Sequence, residues 1–269
     1  MLPAIVIVVT VLFLLGVREW RLQPDGRTHV RFLSVGQGDA SLITLSDGTT
    51  VLVDGGPDFR TLEDLGKFLP FFRRSIDILI LSHPNTDHLA SFPEILRRYR
   101  IREVILSGTE YPLPRYQELL ALARAQHVPL RRVVAGNRLV FSGGIIEVLW
   151  PPAHLPSALV QDINNASVVF GFVAGERRIL FTGDIGNDVE NVLGAARANL
   201  RADILKVAHH GSRYASSTGF LLAVQPSLAV ISVGENSYGH PHPDTLRRLA
   251  DLKIPLQRTD MSGTVDVAW

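Results

Sequence analysis

Two imidazoles and a carboxylate fall within the six residues that run from His83 to His88 in Ser82-His83-Pro84-Asn85-Thr86-Asp87-His88. They follow directly on the apolar run Ile76-Asp77-Ile78-Leu79-Ile80-Leu81. That run reads as a buried strand, so the cluster occupies the loop at its end, where a rigid element can hold reactive side chains. Imidazole nitrogen together with carboxylate oxygen suits divalent zinc, manganese or iron. Three further segments repeat the arrangement: Ile179-Leu180-Phe181-Thr182-Gly183-Asp184, Ile204-Leu205-Lys206-Val207-Ala208-His209-His210-Gly211-Ser212, and Ala229-Val230-Ile231-Ser232-Val233-Gly234 with Gly239-His240-Pro241-His242 soon after. Six of the nine histidines lie in these clusters. A single polar loop after a strand carries no chemistry by itself, but four of one composition point to loops that converge on a metal centre. His29, His127 and His154 lack this setting and read as structural or surface residues.

Loops of that kind need a frame. At 269 residues and 46% apolar content the chain has room for one large domain with a full core. It has no cysteine, which excludes disulfides and Cys-based zinc sites and leaves any metal to His, Asp and Asn. A net charge of +1 gives no global basic field for nucleic acid. The arginine groups Arg97-Arg98, Arg100-Arg102, Arg131-Arg132, Arg177-Arg178 and Arg247-Arg248 read as solvated helix faces and turns.

Residues 1–22 form a hydrophobic segment, 23–27 a polar Pro/Gly linker, and 28–269 the domain proper. Pattern and breakers predict strands near 28–34, 40–45, 50–54, 76–82 and 103–106, with helices near 61–69, 88–99 and 114–126. The second half repeats the plan: short strands between 130 and 150, paired strands near 166–173 and 177–183, strands at 203–208 and 227–233, and helices near 186–199, 216–224 and 243–252. A terminal hairpin is expected over 256–268. Two such halves suit an α/β fold of two mixed sheets between helical layers, an αββα sandwich with the metal loops at one edge.

Met1 to Val17 carry no charge and fall just short of the roughly 20 residues that span a hydrocarbon core. A membrane helix, or the remnant of one with Trp20 at the interface, is the expected reading. A signal peptide would want a basic start and a small-residue cleavage site, and a buried core helix is the third option. Arg18 and Arg21 follow the run, which by charge asymmetry alone puts the domain on the cytoplasmic side.

The spacing His83-x-Asn85-x-Asp87-His88 resembles the H-x-[HD]-x-D-H motif of the metallo-β-lactamase superfamily. Ser34-Val35-Gly36-Gln37-Gly38-Asp39-Ala40, Val53-Asp54-Gly55-Gly56, Asn164-Asn165-Ala166-Ser167, Thr182-Gly183-Asp184, Lys206 to Ser212, Tyr238-Gly239-His240-Pro241 and Arg258-Thr259-Asp260 narrow it. Together they look like the C-terminal hydrolase domain of ComEC-type DNA-uptake (competence) proteins, from about residue 28 onward. The resemblance implies one or two divalent ions, manganese or zinc. His83 and position 85 would hold the first, and Asp87 and His88 the second, with Asp184 between them. His210 or His209 would complete the second site; two neighbours on one loop do not easily both turn inward, and His210, beside a glycine, is preferred. His240 would be a further ligand or a phosphate contact acting as an acid, so Asp87, Asp184 and His240 are the expected catalytic residues. Asp39 and Asp54 read as structural, or as hydrogen-bond partners of ligand histidines.

Two departures weaken the first site. Position 85 is Asn rather than His or Asp, and the family's middle histidine is missing, with Asn164 or Asn165 in its region. The expected function is a metal-dependent phosphodiesterase, a nuclease acting on single-stranded DNA during uptake beside other competence components. A small-molecule ester, thioester or phosphoester hydrolase, and a weakly metallated DNA-guiding domain, are the other readings. The resemblance also implies an extracytoplasmic domain anchored by the N-terminal segment, against the charge asymmetry, so orientation stays open.

Overall fold

A computed structural model describes residues 2–155, 159 and 161–269, with the side chains of residues 2–4 excepted; Met1, the first residue of the hydrophobic segment, lies outside this set. The first half supplies β1 (His29–Phe32), β2 (Ser41–Thr44), β3 (Thr50–Val53), β4 (Ser75–Ile80), β5 (Arg100–Leu106) and β6 (Leu130–Arg132). The second supplies β7 (Arg138–Phe141), β8 (Gly144–Trp150), β9 (Val169–Ala174), β10 (Arg177–Phe181), β11 (Ile204–Lys206), β12 (Leu228–Ile231), β13 (Leu256–Arg258) and β14 (Val265–Ala268). They sort into two seven-stranded sheets, β14-β1-β2-β3-β4-β5-β6 and β13-β12-β11-β10-β9-β8-β7. Both are mixed: β3 to β6 run parallel, as do β10 to β13, and the remaining neighbours are antiparallel.

Hydrophobic patterning explains the layering. Parallel strands such as β4 (Ser-Ile-Asp-Ile-Leu-Ile) are apolar on both faces because both are covered. The inner faces meet in one core that includes Phe32, Val51, Ile80, Phe170, Phe172 and Phe181. Phe170 and Phe181 stack at 4.8 Å between ring centroids, and full burial of one such ring is worth about 1.5–3 kcal/mol. The outer face of the first sheet packs under α2 (Arg60–Phe68), α4 (Phe92–Arg98) and α5 (Pro114–Ala125), through Leu65, Phe92, Ile95 and Leu119. The outer face of the second packs under α6 (Asn187–Ala195), α7 (Thr218–Val224) and α8 (Pro243–Asp251), through Val189, Phe220 and Leu249. This is the expected αββα sandwich.

Three elements differ from the pattern reading. The expected helix over 88–99 is two short ones, α3 (Thr86–Leu89) and α4, and that over 186–199 stops at Ala195. The predicted terminal hairpin does not exist: β13 joins β12 in the second sheet, whereas β14 pairs with β1 in the first, the turn-like α9 (Thr259–Ser262) carrying the chain between sheets. Alternation identified both as strands but says nothing of partners.

The N-terminal segment forms α1 (Leu2–Arg21), whose apolar side chains from Ile5 to Leu15 are at least half exposed apart from 49% at Val11. It is therefore not a buried core helix. Among the described residues, no helix is long and apolar enough to cross a membrane.

Candidate metal centre

Because β3 to β6 are parallel, as are β10 to β13, their C-terminal ends deliver the motif loops to one edge of the sandwich. β4 leads into Ser82 and His83, α3 carries Asp87 and His88, β10 leads to Asp184, and β11 to the turn at Ala208–Gly211. The side chains of Asp87, His88, Asp184 and His210 come together with one donor atom from each within 4.8 Å of all the others. Asp184 Oδ2 lies 3.2 Å from both His88 Nε2 and His210 Nε2, and Asp87 Oδ2 lies 3.3 Å from His210 Nε2 and 3.8 Å from His88 Nε2.

The far nitrogen of each imidazole is fixed. His88 Nδ1 faces Asp54 Oδ2 at 2.9 Å and His210 Nδ1 faces the Ser232 carbonyl at 3.0 Å. An acceptor there keeps the proton on Nδ1 and turns the Nε2 lone pair into the cluster, the arrangement that orients metal-bound histidines. Asp54 does this from a left-handed backbone (φ 60°) while its other oxygen accepts from Ser82 N at 2.7 Å, tying the ends of β3 and β4 together. Of the two roles open to Asp54 and Asp39, the structure shows hydrogen bonding to His88 for Asp54. Asp39 pairs instead with Lys206 and approaches His210 Nδ1 at 3.4 Å.

Charge in this pocket is concentrated. Burial opposes charge on His88, but Asp184, Asp54 and Asp87 overcome it and hold the imidazole's pKa well above its ordinary value. Burial is likewise overcome at His210, by Asp184 and Asp39. Against burial, His210 and His88 hold the Asp184 carboxyl well below the usual carboxylate range. Burial raises the Asp54 carboxyl in spite of His88. Lys206 is buried yet kept protonated by Asp39 and Asp184. Asp184 Oδ1, His210 Nε2 and His83 Nε2 are buried without a hydrogen-bond partner. Carboxylates crowded among unpartnered imidazole nitrogens fit a divalent cation, which satisfies those atoms and offsets the charge.

His83 is fully buried with its ring 4.2 Å from that of His88, and burial pushes its pKa down to about 3. Its Nδ1 meets the hydroxyls of Ser82 at 3.1 Å and Ser167 at 3.3 Å. Asn85 offers the carboxylate cluster no charge, and its side-chain amide donates to Asn164 Oδ1 at 2.7 Å. The two departures from the family pattern are thus bonded to each other. Asn165 is structural, taking Gly186 N on its side chain and Trp150 Nε1 on its carbonyl.

His209 and His210 both face the site, on different walls. Both take left-handed backbone (φ 51° each), followed by Gly211 at φ 80°. That strained turn sends His210 into the cluster and leaves His209 half-buried, edge-on to His240 at 5.5 Å. His240 is half-buried on a loop braced by Asn236, and burial beside His209 pushes its pKa down to about 4. His242 is a helix cap, its Nδ1 accepting from Asp244 N at 3.1 Å, and the Ser212 hydroxyl serves a turn by accepting from Tyr214 N at 3.3 Å.

Above the cluster opens a cavity of about 280 Å³ bounded by Gln37, Asn85, Thr86, Asp87, Asn164, Asp184, His209, His210, Tyr238 and His240. A larger cavity of about 760 Å³, between α5 and the β5–α5 loop, shares no lining residue with it, so volume alone would misplace the site. Sequence reasoning missed Lys206 as a member of the buried charge network. The signal was available: a lone cation inside the apolar run Ile204-Leu205-Lys206-Val207-Ala208.

Comparison with known proteins accords with this geometry. The family model described as the metallo-beta-lactamase superfamily matches residues 33–235. ComE operon protein 3 of Bacillus subtilis (strain 168) is 29% identical over 97% of the chain and 35% of its own length. Competence protein ComA of Neisseria gonorrhoeae is 32% identical over 71% of the chain and 25% of its own. The chain thus spans about a third or less of these relatives. Among solved structures, the metallo-beta-lactamase fold protein YhfI from Bacillus subtilis superposes with a TM-score of 0.58 at 13% identity, over 90% of this chain and 99% of its own.

Proposed function

The chain belongs to the metallo-β-lactamase superfamily, and from that premise we propose that it is a metal-dependent phosphodiesterase, a nuclease that cuts single-stranded DNA during uptake. The observation that carries the reading is the convergence of Asp87, His88, Asp184 and His210 below an open cavity. These four residues would hold one divalent ion, zinc or manganese, which would supply Lewis-acid polarisation of a phosphoryl oxygen and an acidified water. Asp54 and the Ser232 carbonyl orient the two imidazoles, and Asp184 receives positive charge from both sides. His83 supplies an imidazole to a second, weaker position, because the amide of Asn85 is engaged by Asn164. His240, exposed to the cavity and neutral at ordinary pH, contacts the phosphate and can pass a proton to the departing oxygen once a phosphate raises its basicity.

The DNA substrate, the competence setting and the other competence components as partners rest on the relatives named above. An extracytoplasmic position for the hydrolase domain, with α1 associated with a membrane, rests on the resemblance to ComEC-type domains and runs against the charge asymmetry of α1. The bonded Asn85–Asn164 pair favours a second reading, a domain that guides DNA without cutting it.

Elemental analysis of the purified chain, with cleavage of labelled single-stranded DNA in manganese and zinc, tests both. One tightly held ion per chain and ion-dependent cleavage are expected. Asp184→Ala should lower the rate at least about 100-fold, since a carboxylate serving both imidazoles is lost. Salt-sensitive DNA binding with no cleavage in any ion leaves only the guiding domain. Turnover of small phosphoesters or thioesters with no DNA binding transfers the site to a small-molecule hydrolase.

A further inference from the structure

Two adjacent phenylalanines stand in water beside α1. Phe71 and Phe72 are 72% and 66% exposed, on the loop between α2 and β4. The loop is well tethered. Phe71 N donates to Glu19 Oε2 at 2.7 Å, Arg73 N closes a turn on Pro70 O at 2.9 Å, and the Arg73 guanidinium donates to Gly48 O at 2.6 Å. The Arg18 guanidinium donates to Gly66 O, at the end of α2. The last turn of α1 and the Phe71–Phe72 loop therefore make one surface, continued by Trp20 (75% exposed) and by the exposed apolar side chains from Ile5 to Leu15.

Cations rim this apolar strip. Arg18 and Arg21 end α1, Arg73 and Arg74 end the loop, and Arg100 adjoins them through its N–H bond to Arg74 O at 2.8 Å. The Arg74 guanidinium lies 5.1 Å over the Phe71 ring. Of the acids nearby, Glu19 is engaged by Arg18 and Phe71 N, and Asp77 by Arg73 at 3.5 Å and Arg102 at 3.8 Å, while Asp47, which shares a cavity with Phe72 and Arg73, accepts from Thr49 N and the Ser142 hydroxyl. Exposed aromatic rings set among arginines match a headgroup interface, where rings sit at the acyl boundary and guanidinium groups meet lipid phosphates.

We propose that this face, Trp20 with Phe71, Phe72, Arg74 and Arg100, docks the domain on an anionic lipid surface. The proposal deepens the membrane reading of α1 by assigning the face turned to the lipid. It also fixes the direction of the site. β4 starts one residue after Arg74 and ends two before Ser82, so its six residues, at roughly 3.3 Å each, separate the two edges by about 20 Å. The catalytic cavity thus opens away from the bilayer, and substrate reaches it from the aqueous side.

The chain has no cysteine, so a polarity-sensitive fluorophore can be placed on full-length Phe72→Cys and, separately, on Tyr214→Cys, on the loop that carries His210. Each is mixed with phosphatidylcholine vesicles with and without phosphatidylglycerol, after circular dichroism has matched it to the parent. The expected result is a blue shift and shielding from aqueous iodide at position 72 alone, on anionic vesicles. The unlabelled Arg74→Glu/Arg100→Glu chain should bind such vesicles about tenfold more weakly than the parent. Co-sedimentation with both labels still aqueous overturns the docking face and leaves the membrane reading of α1 standing. Absence of any vesicle association overturns both. Shielding at position 72 without vesicles assigns the face to a protein contact and overturns the proposal.

Discussion

Asn85 sits beside the carboxylate cluster and contributes no charge to it. Its amide is committed to Asn164 Oδ1 at 2.7 Å, and a neutral amide is a weak ligand for a divalent ion. Asn85→Asp removes that donor and puts an anionic oxygen at the mouth of the site. Metal affinity measured by calorimetry should rise about tenfold, with a second equivalent bound, as for one restored ligand contact. Lower affinity than the parent would overturn this account of position 85. The histidines give a second test. Without metal, His88 and His210 have pKa values raised well above the ordinary imidazole value. Their contribution to stability is thus fully present below about pH 6.5 and is lost as pH rises through the raised values. The metal-free protein should melt at progressively lower temperature from neutral toward alkaline pH. Metal displaces those protons, so a saturated sample should be flatter over the same range, and uptake near neutrality should release protons into the buffer. A melting temperature that is independent of pH without metal would remove the coupling.

The loops also hold one another. Asp39 N donates to Asp87 O at 3.1 Å, and Gly56 N to Asp39 O at 2.8 Å, so the loops after β1 and β3 clasp the start of α3. A Cβ on Gly38 (φ 149°) would lie 2.4 Å from the Asp87 carbonyl oxygen. Gly38→Ala should therefore cost about 1–3 kcal/mol of stability and lower metal affinity, because the displaced backbone carries Asp87. Unchanged metal binding in a folded variant would show that the clasp does not position the carboxylate. Sequence alone shows much at this scale. Apolar runs marked the buried strands, and the residues that end them are those now gathered at the edge. Other features depend on backbone paths that no pattern encodes. His210 could be preferred over His209 for its glycine neighbour, but the left-handed turn that sends it inward shows only in space. Lys206 reads as an interruption of a strand until the fold closes Asp39 and Asp184 around it. The Asn85–Asn164 bond joins positions 79 apart, visible singly as departures and only in space as a pair.

At the scale of the whole chain, α1 touches the domain chiefly through Arg18 and Glu19, at Gly66 and Phe71. Among the described residues, none of the three cores draws on it. Removing residues 1–22 should leave a folded, metal-binding protein whose melting temperature changes by no more than about 5 °C, the equivalent of a small surface contact. Aggregation of the shortened chain would show that α1 covers an apolar groove.

The pairing of β1 with β14 joins His29 to Ala268, and it is sealed beyond by reciprocal bonds between Thr28 and Trp269 at 3.0 and 3.1 Å. Synthesis runs from the N-terminus, so β1, complete at Phe32, waits with one edge bare until β14 begins at Val265. Every proposed ligand has been synthesised by residue 240, yet the first sheet still lacks its outermost strand. Contacts between segments so distant in sequence are of the kind that slow folding, and closure of the first sheet waits on β14. A chain cut before β14 would therefore carry every proposed ligand on an unfinished frame.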